Sequence, residues 1–227
     1  KLCFRRISRR VVLIIGLLDI DGHNFPNLAL MKLSRYHKLK GDHVEWINFL
    51  DEYDIVYKSK IFTFTPDNGF VINSKDIRNG GTGYNYDINL PPHIEKLCPD
   101  YSIYPKFKEA YGFLTRGCPN NCSWCIVPKK EGNIKAYADI EEFLDGRKTA
   151  ILMDNNVLAH PHGLQQIEKI IRLGIKVDFN QALDARLITD DIAQLLSKVK
   201  WYKPLRMACD TQAQMPYIEK ATQILRK

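Results

Sequence analysis

The sequence predicts an α/β protein of two units with parallel sheets, residues 1–105 and 106–227. Three observations carry this: an unbroken apolar run over residues 11–20, a crowd of chain-bending residues over 66–105, and a regular alternation of strand and helix patterns from Tyr111 onward. Strands buried on both faces read as continuous apolar runs, and alternation with helices implies crossovers between parallel strands.

Residues 11–20 form the first strand and lead through Asp21-Gly22-His23 into a helix. Pro26 suits that helix's first turn, Leu28, Met31, Tyr36 and Leu39 fall near one face, and Gly41 stands where a left-handed cap would end it. Residues 44–49 and 54–57 read as the second and third strands. Asn79-Gly80-Gly81, Gly83, Pro91-Pro92 and Pro99 then imply loops and short elements, and the unit boundary falls there. Beyond it, apolar strands are expected at 111–115, 150–153, 175–179 and 205–208. One helix, with Leu164, Ile167, Ile170 and Ile171 on a face and Gly174 at its end, joins the second of these to the third. Another, carrying Ile192, Leu195, Leu196 and Val199, joins the third to the fourth.

Hydrophobic residues at 45% and charged residues at 26% exclude a disordered chain and suit a substantial core. The net charge of +7 is concentrated at Lys1, Arg5, Arg6, Arg9 and Arg10, a cluster that makes nucleic acid a candidate partner. The apolar run behind it is far shorter than the roughly 20 residues of a membrane span. It ends in Asp19 and Asp21 without a signal-peptide cleavage site, so a cytoplasmic protein without membrane association is expected.

Six cysteines, three of them within eight residues, suit metal ligation better than a disulfide framework. The segment Gly117-Cys118-Pro119-Asn120-Asn121-Cys122-Ser123-Trp124-Cys125 places three thiols on one short loop behind an apolar strand. Iron–sulfur clusters prefer thiolates, and three ligands leave one of four irons without a protein ligand. Structural zinc is the competing reading, with a fourth ligand from Cys98, His160 or His162. Cys3 and Cys209 read as ordinary residues.

Cys-x3-Cys-x2-Cys with an aromatic residue, here Trp124, before the last cysteine resembles the signature of the radical S-adenosylmethionine superfamily. The resemblance implies a partial radical SAM (β/α) barrel in the second unit and a [4Fe–4S] cluster held by Cys118, Cys122 and Cys125. It also implies S-adenosylmethionine on the open iron, reductive cleavage that starts radical chemistry on an unknown substrate, and a reductant protein such as a flavodoxin or ferredoxin. By the same resemblance Trp124 lies near the adenine. Asp154, Asn155 and Asn156 occupy the position where the superfamily often has Gly-Gly-Glu for the methionine amino group, with a turn or helix cap as the local alternative. Gln181, Asp184 and Arg186 are candidates for the ribose or carboxylate, against a local Asp184–Arg186 pair. His160 and His162 read as solvated loop residues, with substrate contact as the alternative.

The first half resembles the Rossmann-like, cobalamin-binding-like domain that precedes the barrel in cobalamin-dependent radical enzymes and in methylthiotransferases. Asp21-Gly22-His23, Ser59-Lys60-Ile61 and Gly80-Gly81 carry that resemblance, although Pro26 replaces the final glycine of Asp-x-His-x-x-Gly. It implies cobalamin, with His23 on cobalt and Ser59 beside the nucleotide tail. Four βα units fall short of the superfamily's usual six, which leaves an open edge for self-association. A non-catalytic zinc or iron–sulfur module, associated with nucleic acid, is the alternative function.

Overall fold

The computed structural model describes residues 11–67, 69 and 71–226, and its contacts divide the chain into two compact units that meet between Tyr104 and Pro105. The basic cluster and Cys3 lie outside the described residues.

In the first unit β1 (Ile14–Asp19) is followed by α1 (Leu28–Leu39), β2 (His43–Trp46), β3 (Tyr53–Ser59), β4 (Ser74–Gly80) and the single turn of α2 (Pro92–Glu95). The strands form one parallel sheet in the order β2-β1-β3-β4. Its interior strands are β1 and β3, and this position accounts for the apolar run of β1: Ile15 and Leu17 are almost fully buried. Gly16 has a steric role there. A Cβ on it would stand 2.7 Å from Ile47 Cγ2 and 3.0 Å from side-chain atoms of Tyr53 and Val56, so the β2–β3 connection packs closely against β1 only because the position is bare.

Two details of the helix differ from the sequence reading. Asn27 caps α1 by accepting from Leu30 N–H at 3.3 Å, which places Pro26 ahead of the helix instead of in its first turn. The buried face runs through Leu30, Met31, Leu33, Ser34 and His37, and Leu39 is exposed. Gly41 does take the left-handed conformation, at φ +79°. β4 lies in the stretch read as loop: Ser-Lys-Asp-Ile-Arg-Asn-Gly has no apolar period because the strand is an exposed edge.

The second unit begins with β5 (Ala110–Gly112) and β6 (Thr115–Arg116), followed by α3 (Val127–Lys130), β7 (Lys135–Ala136) and α4 (Glu141–Leu144). It continues through β8 (Thr149–Leu152), α5 (Pro161–Leu173), β9 (Lys176–Phe179), α6 (Asp190–Leu196), β10 (Lys200–Trp201) and α7 (Met215–Leu225). β10-β9-β8-β5 is a parallel sheet, while β6 and β7 form a small antiparallel ladder that closes the base of the cysteine loop. Gly174 ends α5 at φ +67° as expected. The fourth strand is a correction. It forms at Lys200–Trp201, and Tyr202 N–H still reaches Val177 O at 2.8 Å, but Pro204 has no N–H to continue the ladder. Residues 205–208 retain one bridge, Met207 with Leu183.

Both units are therefore parallel α/β layers. Among the described residues no helix is long and apolar enough to cross a membrane.

Candidate functional site

The cysteine loop leaves β6 through Gly117, at φ +83°, and returns through Gly132 and Asn133 to β7. A Cβ on Gly117 would lie 2.4 Å from Asn133 O, so the two ends approach one another only with glycine here. Cys118 N–H donates to Gly132 O at 3.2 Å, and Cys125 N–H to Cys122 O at 3.1 Å, which turns the loop tightly between its last two thiols.

Asp154, Asn155 and Asn156, which follow β8 after Met153 and are grouped by sequence as one triad, point three ways. Asp154 is buried and turns back to the β5–β6 connection: its Oδ1 accepts from Leu114 N–H at 3.0 Å, Thr115 N–H at 2.5 Å and Thr115 Oγ1 at 2.7 Å. Burial pushes its carboxyl up to about 6, against the pull of those donors. With these donors Asp154 organises the strand turn, the local alternative that the sequence left open for it. Asn155 donates to Glu131 Oε2 at 3.1 Å. Asn156 is the residue that meets the loop. Its Nδ2 lies 3.8 Å from Cys118 Sγ and donates to Asp184 Oδ2 at 3.0 Å, while its buried Oδ1 has no hydrogen-bond partner.

Asp184 follows β9 and completes the junction. It caps the short 3-10 turn Ala185–Leu187 and accepts from Asn120 Nδ2 at 3.1 Å, which joins it to the cysteine loop a second time. Arg186 grips it at both oxygens, at 2.7 Å each. Burial pushes the Asp184 carboxyl up, but the bonds from Arg186 and Asn120 outweigh this and hold it below its ordinary range. The same pairing raises Arg186, which is also within electrostatic reach of Cys122 and Cys118. The local Asp184–Arg186 pair is thus formed. Gln181 is exposed, and so is Trp124, at 60%.

Sequence reasoning missed Glu131, whose carboxylate pairs with Arg116 at 2.7 Å and accepts from Gly117 N–H at 2.9 Å and from Asn155. No motif marks it, because its partners are distant in sequence. The histidines are also corrected. His160, half-buried, caps α5 by accepting from His162 N–H at 3.1 Å, and the half-buried His162 joins α5 to the chain ahead of α4 by donating from Nε2 to Ala138 O at 3.0 Å.

Among the described residues no group of three or more His, Cys, Asp or Glu side chains is gathered closely enough to hold a metal ion, so the expected convergence of the three thiols is not present in this conformation. The donor set nevertheless fits an iron–sulfur cluster in kind: three thiols share one loop, and a buried amide oxygen of Asn156, beside Cys118, has no hydrogen-bond partner. The cobalamin residues fit less well. Ser59 is buried, with its hydroxyl accepting from Asn27 Nδ2 at 2.9 Å, and His23 packs its ring on Trp46 with centroids 4.1 Å apart. That arrangement ties Ser59 to the residue that caps α1 and His23 to Trp46.

A parallel sheet with a three-cysteine loop beside its first strand, and polar residues following the next two, defines an α/β protein with its candidate site at one end of the second unit's sheet. Two solved structures similar to this chain are of TsrM from Kitasatospora setae, a radical S-adenosylmethionine methyltransferase. One has cobalamin and a [4Fe–4S] cluster bound, the other a tryptophan substrate and an S-adenosylmethionine analogue. Both align with a TM-score of 0.61 and 11% identity, over 95% and 94% of this chain and 67% and 65% of theirs. The chain thus spans about two thirds of their length. No family model and no curated protein matches the sequence.

Proposed function

We propose that the chain is a radical S-adenosylmethionine protein in which Cys118, Cys122 and Cys125 hold a [4Fe–4S] cluster at three irons. The observation that carries this reading is the junction of Cys118, Asn156 and Asp184, which unites the cysteine loop with the residues that follow two adjacent parallel strands. When bound, the cluster supplies an electron and an iron with a vacant position, the chemistry that reductively cleaves S-adenosylmethionine to start radical reaction on a substrate.

The chain's own residues bind and orient. Asn156 Oδ1, an acceptor without a donor, suits the ammonium of the methionine moiety. Asp184 keeps Asn156 and Asn120 in place, and Arg186 holds Asp184 at both of its oxygens. Trp124, exposed on the loop, offers a flat apolar face to an adenine. A protein reductant such as a flavodoxin or ferredoxin would deliver the electron.

The alternative is a non-catalytic zinc or iron–sulfur module, because thiolates on one short loop suit zinc as well as iron. Anaerobic reconstitution with iron and sulfide separates the radical reading from a zinc module, and cleavage of S-adenosylmethionine by the reduced protein separates it from a non-catalytic iron–sulfur module. The radical reading expects a brown protein with about four irons per chain, and loss of iron on replacing any one of the three thiols with serine. A colourless protein that loads zinc instead would reject it.

A further inference from the structure

We infer that Glu131 is a positioning residue that fixes the cysteine loop against the end of β8 and so holds Cys118 beside Asn156; its bearing on the cluster rests on the function proposed above. Three donors from separate places converge on its carboxylate. Arg116 Nη2 approaches Oε1 at 2.7 Å, while Gly117 N–H and Asn155 Nδ2 donate to Oε2 at 2.9 and 3.1 Å. The ion pair is shielded, its side chains only 20% and 11% exposed, and hydrogen bonds to an ionised group in such a setting are stronger than neutral ones.

Each donor is itself held. The Arg116 guanidinium lies 4.1 Å from the ring centroid of Phe113 and 5.5 Å from that of Tyr137. Gly117, at φ +83°, sits so close to the carbonyls of Gly132 and Asn133 that a side chain could not be admitted, and Cys118 N–H donates to Gly132 O at 3.2 Å. Gly117 is bonded to Cys118, and Asn155 to Asn156. Glu131 therefore grips the neighbours of both partners in the contact between Cys118 Sγ and Asn156 Nδ2, and sets their separation without touching either. It adds no ligand, since its oxygens are taken by these donors.

The test uses the full chain, first without iron. Glu131→Ala, Glu131→Gln and Glu131→Asp are exposed to iodoacetamide under reducing, anaerobic conditions, and alkylation of each cysteine is followed by peptide mass spectrometry. Removal of the carboxylate is expected to accelerate alkylation of Cys118 about tenfold, the scale of one charge-assisted hydrogen bond. Cys122 and Cys125 should change much less, Gln should fall between Ala and wild type, and Asp should restore most of the protection. Equal acceleration at all three thiols would mean only that the unit had loosened, and would overturn the inference, as would unchanged Cys118 reactivity in the Ala variant. After reconstitution, the Ala variant should show a broadened electron paramagnetic resonance signal at unchanged melting temperature of the first unit. A wild-type chain that takes up no iron would sink the cluster reading instead, and leave the alkylation result standing on its own.

Discussion

Replacing Asp154 by alanine should destabilise the second unit far more than replacing it by asparagine, and the difference follows from which oxygen does the work. Oδ1 accepts from Leu114 N–H, Thr115 N–H and Thr115 Oγ1, whereas Oδ2 receives only a shared bond from Leu114 at 3.1 Å. Alanine strands three donors at a buried site. At roughly 1–3 kcal/mol for each orphaned group, offset by water entering the space, the cost is about 4 kcal/mol. Asparagine keeps the oxygen that the three donors use and places its amide nitrogen at the quieter position, so about 1 kcal/mol is expected.

The pH dependence gives an independent check. Burial raises the folded-state pKa to about 6 from 3.8, so the folded protein holds this proton more tightly than the unfolded chain does. The corresponding stability is fully present below pH 3.8 and is lost as pH rises through about 6, a change of about 3 kcal/mol. Urea unfolding of wild type, Asp154→Ala and Asp154→Asn at several pH values, followed by far-ultraviolet circular dichroism, measures both effects. Equal damage by the two substitutions, or an alanine cost below about 1 kcal/mol, would refute the assignment of Oδ1 as the organising acceptor.

The first unit should lose stability on the acid side through His37. Its ring is buried, with Nδ1 2.7 Å from Asp42 and Nε2 3.0 Å from Tyr57, whose hydroxyl also accepts from Arg78 at 3.2 Å. Burial lowers its pKa from 6.5, despite the opposing pull of Asp42, so the unfolded chain binds the proton first and stability falls as pH drops below about 6.5; His37→Gln should flatten that slope in a pH series of thermal melts. Gly16→Ala should cost about 1–3 kcal/mol by overpacking against Ile47, measured by urea unfolding, with no change in iron uptake by the second unit.

Legibility in the sequence follows the range of the forces involved. β1 and α5 were readable because an interior strand and a helix closed by glycine leave local patterns, and the cysteine loop because its three thiols are neighbours in the chain. β4 was not, since an exposed edge strand needs no apolar period, and neither was the two-residue β7, which exists only because β6 pairs with it. The buried face of α1 escapes an apolar pattern because two of its members, Ser34 and His37, are polar groups buried with hydrogen-bond partners in Asp100 and Asp42. At the site, spacing located Asn156 and Asp184 but could not show that Asp154 faces backward. Glu131 was invisible, because its role arises from Arg116, Gly117 and Asn155, groups that only the folded chain assembles.

The central claim is that three loop thiols hold a cluster with one iron open to S-adenosylmethionine. Electron paramagnetic resonance of the reconstituted, dithionite-reduced chain, recorded before and after addition of S-adenosylmethionine, tests it most directly. The account predicts a signal from a reduced [4Fe–4S] cluster whose g values shift when S-adenosylmethionine is added, with the shift diminished by Asn156→Ala. A cluster signal indifferent to S-adenosylmethionine, or no cluster signal from iron-loaded protein, would contradict it.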